Sequence, residues 1–183
     1  MGGAWRGAGG SSNVPLRWGM LVREVCERDF PGVVEIENHE IVHGVAHFGT
    51  TPNAAGSALA AWERVRETHP FVVCVVGGVV VGYAKASVWK EREAYRATAE
   101  IGVYVREGFR GRGIGQAMYA ELFPRMRAAG LRTLLAGIAL PNEASVALHE
   151  RYGMRHAGTL ARVGMKFGRW IDVGYWSVHI EGA

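Results

Sequence analysis

The stretch "VREGFRGRGIGQ", Val105 to Gln116, sets four glycines and three arginines between an apolar run and a helical-looking run. At such a strand-to-helix junction, unpaired backbone N–H groups point outward and the helix dipole favours an anion. Glycines let the main chain approach that anion closely, and Arg110 and Arg112 can add charge-assisted bonds. A diphosphate is the natural guest; a plain glycine-rich turn is the alternative. The spacing excludes two familiar nucleotide loops. No G-x-x-x-x-G-K-[ST] occurs, and glycines at 111, 113 and 115 miss the last position of G-x-G-x-x-G. What remains is Arg110-x-x-Gly113-x-Gly115. A second chemical signal lies just upstream. Glu100 is the one acidic residue in the otherwise apolar run "TAEIGVYV", where burial raises a carboxyl pKa toward that of a working base. A strand-edge carboxylate paired with an arginine is the alternative.

These residues need elements to hold them. "MLVREVC", from Met20, alternates like a strand. "DFPGVVEIENHEIVHGV", Asp29 to Val45, predicts a helix interrupted near its middle, with Asp29 as cap and Pro31 in the first turn. "TPNAAGSALAAWERVRETHP", Thr51 to Pro70, predicts a second helix. "FVVCVV" and "VVVGYAKASVW" flank Gly77-Gly78, a hairpin signal. Thr98 to Val105 reads as a further strand. A helix from about Gly113 to Ala129 stops at Gly130 and contains Pro124, which predicts a kink. "RTLLAGIAL" is a buried strand, "NEASVALHERYG" a short helix closed by Gly153, and two strands, about 155–165 and 170–180, end the chain. The strand–helix–strand unit implies a parallel pair. The expected class is α/β (α+β): a mixed central sheet of about six to seven strands flanked by about four helices.

The chain's 183 residues suit one domain, expected over 20–183. Residues 1–19 are glycine-rich and aperiodic, and read as a disordered extension; Met20 is a plausible true start. No apolar run reaches the roughly 18 residues of a membrane span, so no membrane partner is expected. Cys26 and Cys74 lie in apolar stretches, which favours reduced thiols and a cytoplasmic location. The formal charge of +4 is mild and its cations are scattered, so nucleic acid is not an expected partner.

The loop, the strand ending "VYV" before it and "LPNEASVALHERYGM" after it resemble the GNAT superfamily of N-acetyltransferases. More narrowly, "NHEIVHGVAHF", "YAKASVWKEREAYRATAEIGVYV" and "GMKFGRWIDVGYW" are similar to the phosphinothricin and methionine-sulfone (sulfoximine) N-acetyltransferases. The resemblance covers Met20 to about Ile180 and implies acetyl-CoA as cosubstrate with no metal. It implies direct attack by the amine of a small amino-acid-like acceptor, with Glu100 as general base, and a homodimer. It places the pantetheine arm along Val103, Tyr104 and Val105, and the phosphates on Arg110, Gly111, Arg112, Gly113, Ile114 and Gly115. Asn142 and Ser145 would follow along the cofactor, although Asn142 also suits a helix cap. His149 stands where many members have a tyrosine acid; donating a proton to the thiolate and packing against the sheet are both open. Tyr152, just before Gly153, suits packing. Lys90, Arg92 and Tyr95 offer donors to an anionic acceptor, or form a solvated loop. Phe48, Trp170 and Tyr175 wall an acceptor pocket or belong to the core. Two positions depart from the group: Gly102 replaces a small hydroxyl residue, and His47 replaces an asparagine. Acetylation of another amine and non-catalytic acyl-CoA binding are the competing functions.

Overall fold

The computed structural model describes residues 19–181, so nearly all of the expected N-terminal extension lies outside the described residues. Seven strands form one sheet: β1 (Met20–Glu24), β2 (Phe71–Val76), β3 (Val79–Val88), β4 (Thr98–Val105), β5 (Thr133–Leu140), β6 (Arg155–Lys166) and β7 (Arg169–His179). Their spatial order is β1-β2-β3-β4-β5-β7-β6. Every neighbouring pair is antiparallel except β4 and β5. These two are joined by α3 (Ile114–Ala128), the crossover that a parallel pair requires. Gly77 and Gly78 both have positive φ, 56° and 81°, which suits the tight turn between β2 and β3.

The alternation of side chains along β3 and β4 separates two cores. On one face Val81, Ala84, Ala99 and Ile101 pack with Met118, Tyr119 and Leu122 of α3 and with Leu148 of α4 (Glu143–Arg151). On the other, Phe71, Val73, Val80 and Tyr83 meet Phe30, Val33 and Ile36 of α1 (Phe30–His43), with Leu59 and Trp62 of α2 (Ala55–Glu63). Fully burying a side chain of this size contributes roughly 1.5–3 kcal/mol, so both helix layers are firmly seated.

Two helices differ from expectation. α1 is continuous, with no interruption near its middle. Its buried face includes Glu37 and Glu40, which break the apolar pattern in the sequence but find partners on distant elements. α2 is shorter than expected at both ends. Both backbone groups of Asn53 are bonded to the Asn38 side chain, at 2.7 and 2.9 Å, which withdraws them from a helix. Beyond Glu63 the chain turns, with Thr68 N–H donating to the Val65 carbonyl at 3.0 Å. α3 runs through Pro124 as one helix.

Candidate active site

Strands β4 and β5 pair over three residues only: Thr98 with Thr133, Ala99 with Leu134, and Glu100 with Leu135. Beyond Glu100, β4 stays paired with β3 through Val105, while β5 follows β7 through Leu140. The two parallel strands therefore part, and a cleft of about 870 Å³ occupies the gap. Ile101 to Val105 form one wall, and Gly137, Ile138 and Ala139 form the other. From Ile101 onward the β4 edge facing the cleft has no strand partner. Its main-chain donors and acceptors are free for an extended guest, as at any open sheet edge.

The glycine loop closes one end. Gly113 is the N-cap of α3, with φ +80°, and Gly111 has φ +76°; both adopt a conformation that glycine supplies without strain. A Cβ built on either meets no atom within 4 Å, so the space before the helix N-terminus is open. Gly115 is different. A Cβ there would lie 2.9 Å from Leu148 Cδ2, so its smallness lets α4 pack on α3. The two arginines also part ways. The Arg110 guanidinium bonds the Glu40 carboxylate, and its Nε donates to the Val105 carbonyl at 3.2 Å. Arg112 is exposed, with its guanidinium 5.1 Å over the Phe109 ring.

Asn142 accepts a bond from Ser145 N–H at 3.1 Å and thereby caps α4; both residues also line the cleft. His149 reaches the cleft wall but is only 2% exposed. Its Nδ1 lies 2.7 Å from the Ser145 carbonyl, and its Nε2 lies 2.8 Å from the Tyr119 hydroxyl. A carbonyl only accepts, so Nδ1 carries the proton and Nε2 accepts from Tyr119. Burial lowers the imidazole pKa, against an opposing pull from the Ser145 carbonyl. Both nitrogens are thus spent inside the protein. Tyr152 packs edge-on to Tyr119 and donates to the Gln116 carbonyl at 2.6 Å.

Glu100 is the last β4 residue paired with β5, so it sits where the cleft begins. Burial raises its carboxyl pKa, and among the described residues no cation is recorded as its partner. Glycine at 137 leaves it room: a Cβ there would lie 3.2 Å from Glu100 Oε1 and 3.4 Å from the Tyr175 ring. Tyr175 therefore stands beside Glu100 on the α1 face of the sheet. Phe48, 41% exposed, lies against Gly164 of β6. Trp170 is mostly exposed and stacks with Arg162 at 5.5 Å.

Lys90, Arg92 and Tyr95 are not brought to the cleft. They lie on the connection between β3 and β4, with Lys90 and Arg92 exposed. Lys90 Nζ lies 5.1 Å over the Trp89 ring, and Tyr95 packs edge-on to the same ring at 5.0 Å. Trp89 thus gathers Lys90 and Tyr95 around itself.

The structure adds a charged cluster that sequence reasoning missed. Glu37 Oε1 lies 3.4 Å from His47 Nε2 and 3.6 Å from Lys85 Nζ, and its Oε2 accepts from Asn53 at 2.9 Å. Burial by itself would raise the Glu37 pKa, but these three partners overcome it and bring the carboxyl down to about 2. Nearby, the buried Lys166 donates to the Glu40 carbonyl at 2.9 Å and the His47 carbonyl at 2.6 Å. It thereby ties the end of α1 to the segment that carries Phe48. A signal for Lys85 was present: it is the single charge in the apolar strand "VVVGYAKASV", the same sign that marked Glu100.

Two parallel strands part beside a glycine loop at a helix N-terminus, a cleft suited to an extended, phosphate-bearing guest, and comparison places it. The chain belongs to the Acetyltransferase (GNAT) family, which it matches over residues 33–154. It is 38% identical to the phosphinothricin N-acetyltransferase of Streptomyces viridochromogenes over 167 residues, 91% of each chain. It is 35% identical to the L-methionine sulfoximine/L-methionine sulfone acetyltransferase of Pseudomonas aeruginosa over 162 residues, 87% of this chain and 94% of that one. A phosphinothricin acetyltransferase from Sinorhizobium meliloti, solved in complex with acetyl-CoA, superposes with a TM-score of 0.83. That pair is 32% identical over 88% of each chain. This chain is therefore an acetyltransferase of the GNAT family.

Proposed function

We propose that this enzyme moves an acetyl group from acetyl-CoA to the amino group of a small amino-acid-like acceptor, with Glu100 as general base. The observation that carries it is the parting of β4 and β5 directly after Glu100, which sets a half-buried carboxylate, with no cation partner among the described residues, at the head of the cleft. Bound acetyl-CoA supplies an activated acetyl thioester. The unpaired β4 edge at Val103, Tyr104 and Val105 bonds the pantetheine arm, and a backbone N–H there serves the thioester oxygen. The N–H groups from Gly111 to Gly115, Ile114 included, hold the diphosphate with help from Arg110 and Arg112. Arg110 lines the cleft and is held there by Glu40. Asn142 and Ser145 present the start of α4 to the cofactor.

A peptide α-amino group titrates at about 8, and a free amino acid's lies higher because of its own carboxylate, so the acceptor is mostly protonated at neutral pH. Glu100 takes the ammonium proton onto a carboxylate oxygen. The neutral amine then attacks the thioester carbonyl, and the C–N bond forms as the C–S bond breaks. CoA leaves as a thiolate that is protonated by the proton released from the attacking nitrogen or by solvent. His149 serves as a positioning residue rather than as the acid, since both ring nitrogens are engaged with Tyr119 and Ser145. Tyr175 and Phe48 flank the acceptor side. Lys90, Arg92 and Tyr95, on the connection between β3 and β4 that leads into the strand of Glu100, offer further donors to an anionic acceptor. Support for the acceptor class comes from the relatives named for phosphinothricin and methionine sulfone. The enzyme acts in the cytoplasm as a homodimer; exposed Val163, Met165, Phe167 and Trp170 on β6, β7 and their turn support a subunit contact, and two free cysteines support a reducing compartment.

The test is acetyl-CoA consumption with methionine sulfone, phosphinothricin, common amino acids, a polyamine and a peptide with a free N-terminus. Turnover confined to the amino-acid-like acceptors supports the reading. Turnover with the polyamine or the peptide alone overturns it.

A further inference from the structure

Lys85 has no part in the machinery above, yet it is held as a binding group would be. Its ammonium lies 3.6 Å from Glu37 Oε1 and sits over the Phe71 and Tyr83 rings at 5.9 and 5.7 Å. Glu37 stays ionised because His47, Lys85 and Asn53 outweigh its burial, so it keeps the cation in place. At that distance the contact is an ion pair rather than a hydrogen bond. Among the described residues no protein acceptor is recorded within hydrogen-bond reach of the ammonium, and the side chain is 33% exposed. A fixed cation with three unspent donors is suited to bind an anion.

The sheet register says where that anion would lie. Ser87 pairs with Glu100, and Lys85 pairs with Gly102. Lys85 and Glu100 are thus diagonal neighbours on one face, with main chains roughly 7–8 Å apart. Gly102 lies across from Lys85 and lines the cleft. A Cβ there would touch only the Tyr104 ring, at 3.5 Å. No side chain at 102 therefore stands between the ammonium and the cleft, which gives a physical meaning to the glycine that replaces a hydroxyl residue.

We propose that Lys85 binds the α-carboxylate of the acceptor across Gly102 while the amine lies at Glu100, so that the enzyme selects free α-amino acids over amines that lack a carboxylate. This rests on the amino-acid reading given above. The two groups of an α-amino acid hang from one carbon, and the lysine stem spans the remaining gap along the strand diagonal.

The experiment compares methionine sulfone with its carboxamide as acceptors for the wild type, Lys85→Met and Lys85→Arg. The wild type should prefer the free acid. Lys85→Met should raise KM for the acid roughly 10- to 100-fold, the worth of a hydrogen bond to a charged group. Its kcat, and its kinetics with the amide, should stay near wild type, and Lys85→Arg should keep part of the preference. Melting temperature and acetyl-CoA affinity check the fold. Because Lys85→Met leaves Glu37 without its cation, Lys85→Gln, whose amide can still donate a hydrogen bond to Glu37, carries the same test should the methionine variant fail to fold. A folded variant that keeps the full acid-over-amide preference overturns the role of Lys85 and leaves the amino-acid reading standing. A wild type that takes acid and amide equally overturns the inference alone. One that takes neither, nor any other amino acid, sinks both.

Discussion

Replacing Glu100 by Gln removes one negative charge and one proton acceptor without changing the shape of the side chain. Shape matters here, because Gly137 leaves the carboxylate little more than van der Waals room: a Cβ at 137 would lie 3.2 Å from Glu100 Oε1. The variant should keep its fold and its affinity for acetyl-CoA. Turnover at pH 7 should fall on the order of 10²–10⁴-fold, the worth of a positioned base. The size of the loss should depend on pH in a definite direction. A peptide α-amino group titrates at about 8, and the acceptor's own carboxylate raises its amine above that, so the neutral fraction is small at pH 7 and rises at least about tenfold by pH 9. The variant can use only the neutral fraction, so its rate should climb by at least about tenfold over that range. The wild type should climb less, and the gap should narrow. The acid limb should differ as well. Burial raises the Glu100 pKa above its ordinary 4.5, so wild-type kcat/KM should fall as pH drops through that raised value, and the variant should lack this limb. The assay is a pH–rate profile of both forms at saturating acetyl-CoA. Unchanged turnover of the variant below pH 7 would remove Glu100 from proton transfer. A raised acceptor KM with unchanged kcat would make it an orienting group instead.

The other predictions bear on the loop, on His149 and on Glu37. Gly113→Asp should weaken acetyl-CoA binding through charge. Because φ at 113 is +80°, Gly113→Asn shares the backbone strain, and calorimetry showing equal affinities for the two variants would count against a phosphate at this loop. His149→Phe should leave the buried Tyr119 hydroxyl unpaired and lower stability by roughly 1–3 kcal/mol, a Tm loss of about 2–12 °C at this chain length. Its kcat should stay within a few-fold of wild type; a 100-fold fall in kcat without a Tm change would make His149 the acid after all. Glu37 has a folded pKa of about 2 against an ordinary 4.5, so its contribution to stability is full above 4.5 and is lost as pH falls toward 2. Glu37→Gln should therefore melt below wild type at pH 7, with the difference closing between pH 4.5 and 2. A difference that stays constant down to pH 2.5 would refute the ionised cluster.

Much of the fold follows from local chemistry. The Gly77-Gly78 turn, the strand around Glu100, the glycine loop and the capped helix from Asn142 are each specified within about ten residues, by backbone freedom, side-chain period and capping. Composition and spacing also pointed to an anion at the loop and to Glu100 as the unusual carboxylate. What the sequence by itself could not determine is where β4 and β5 part. That is fixed by β4 staying with β3 through Val105 while β5 stays with β7 through Leu140, pairings that join segments far apart in the chain. Nor could it say that Arg110, which lines the cleft, is held there by Glu40, which lies seventy residues earlier in the chain. Glu37 and Glu40 looked like breaks in an apolar helix face because their partners, His47, Lys85 and Arg110, come from other elements. The charge and hydrogen-bond balance of a buried carboxylate is a sum over spatial neighbours, and sequence distance carries no information about that sum until the chain has folded.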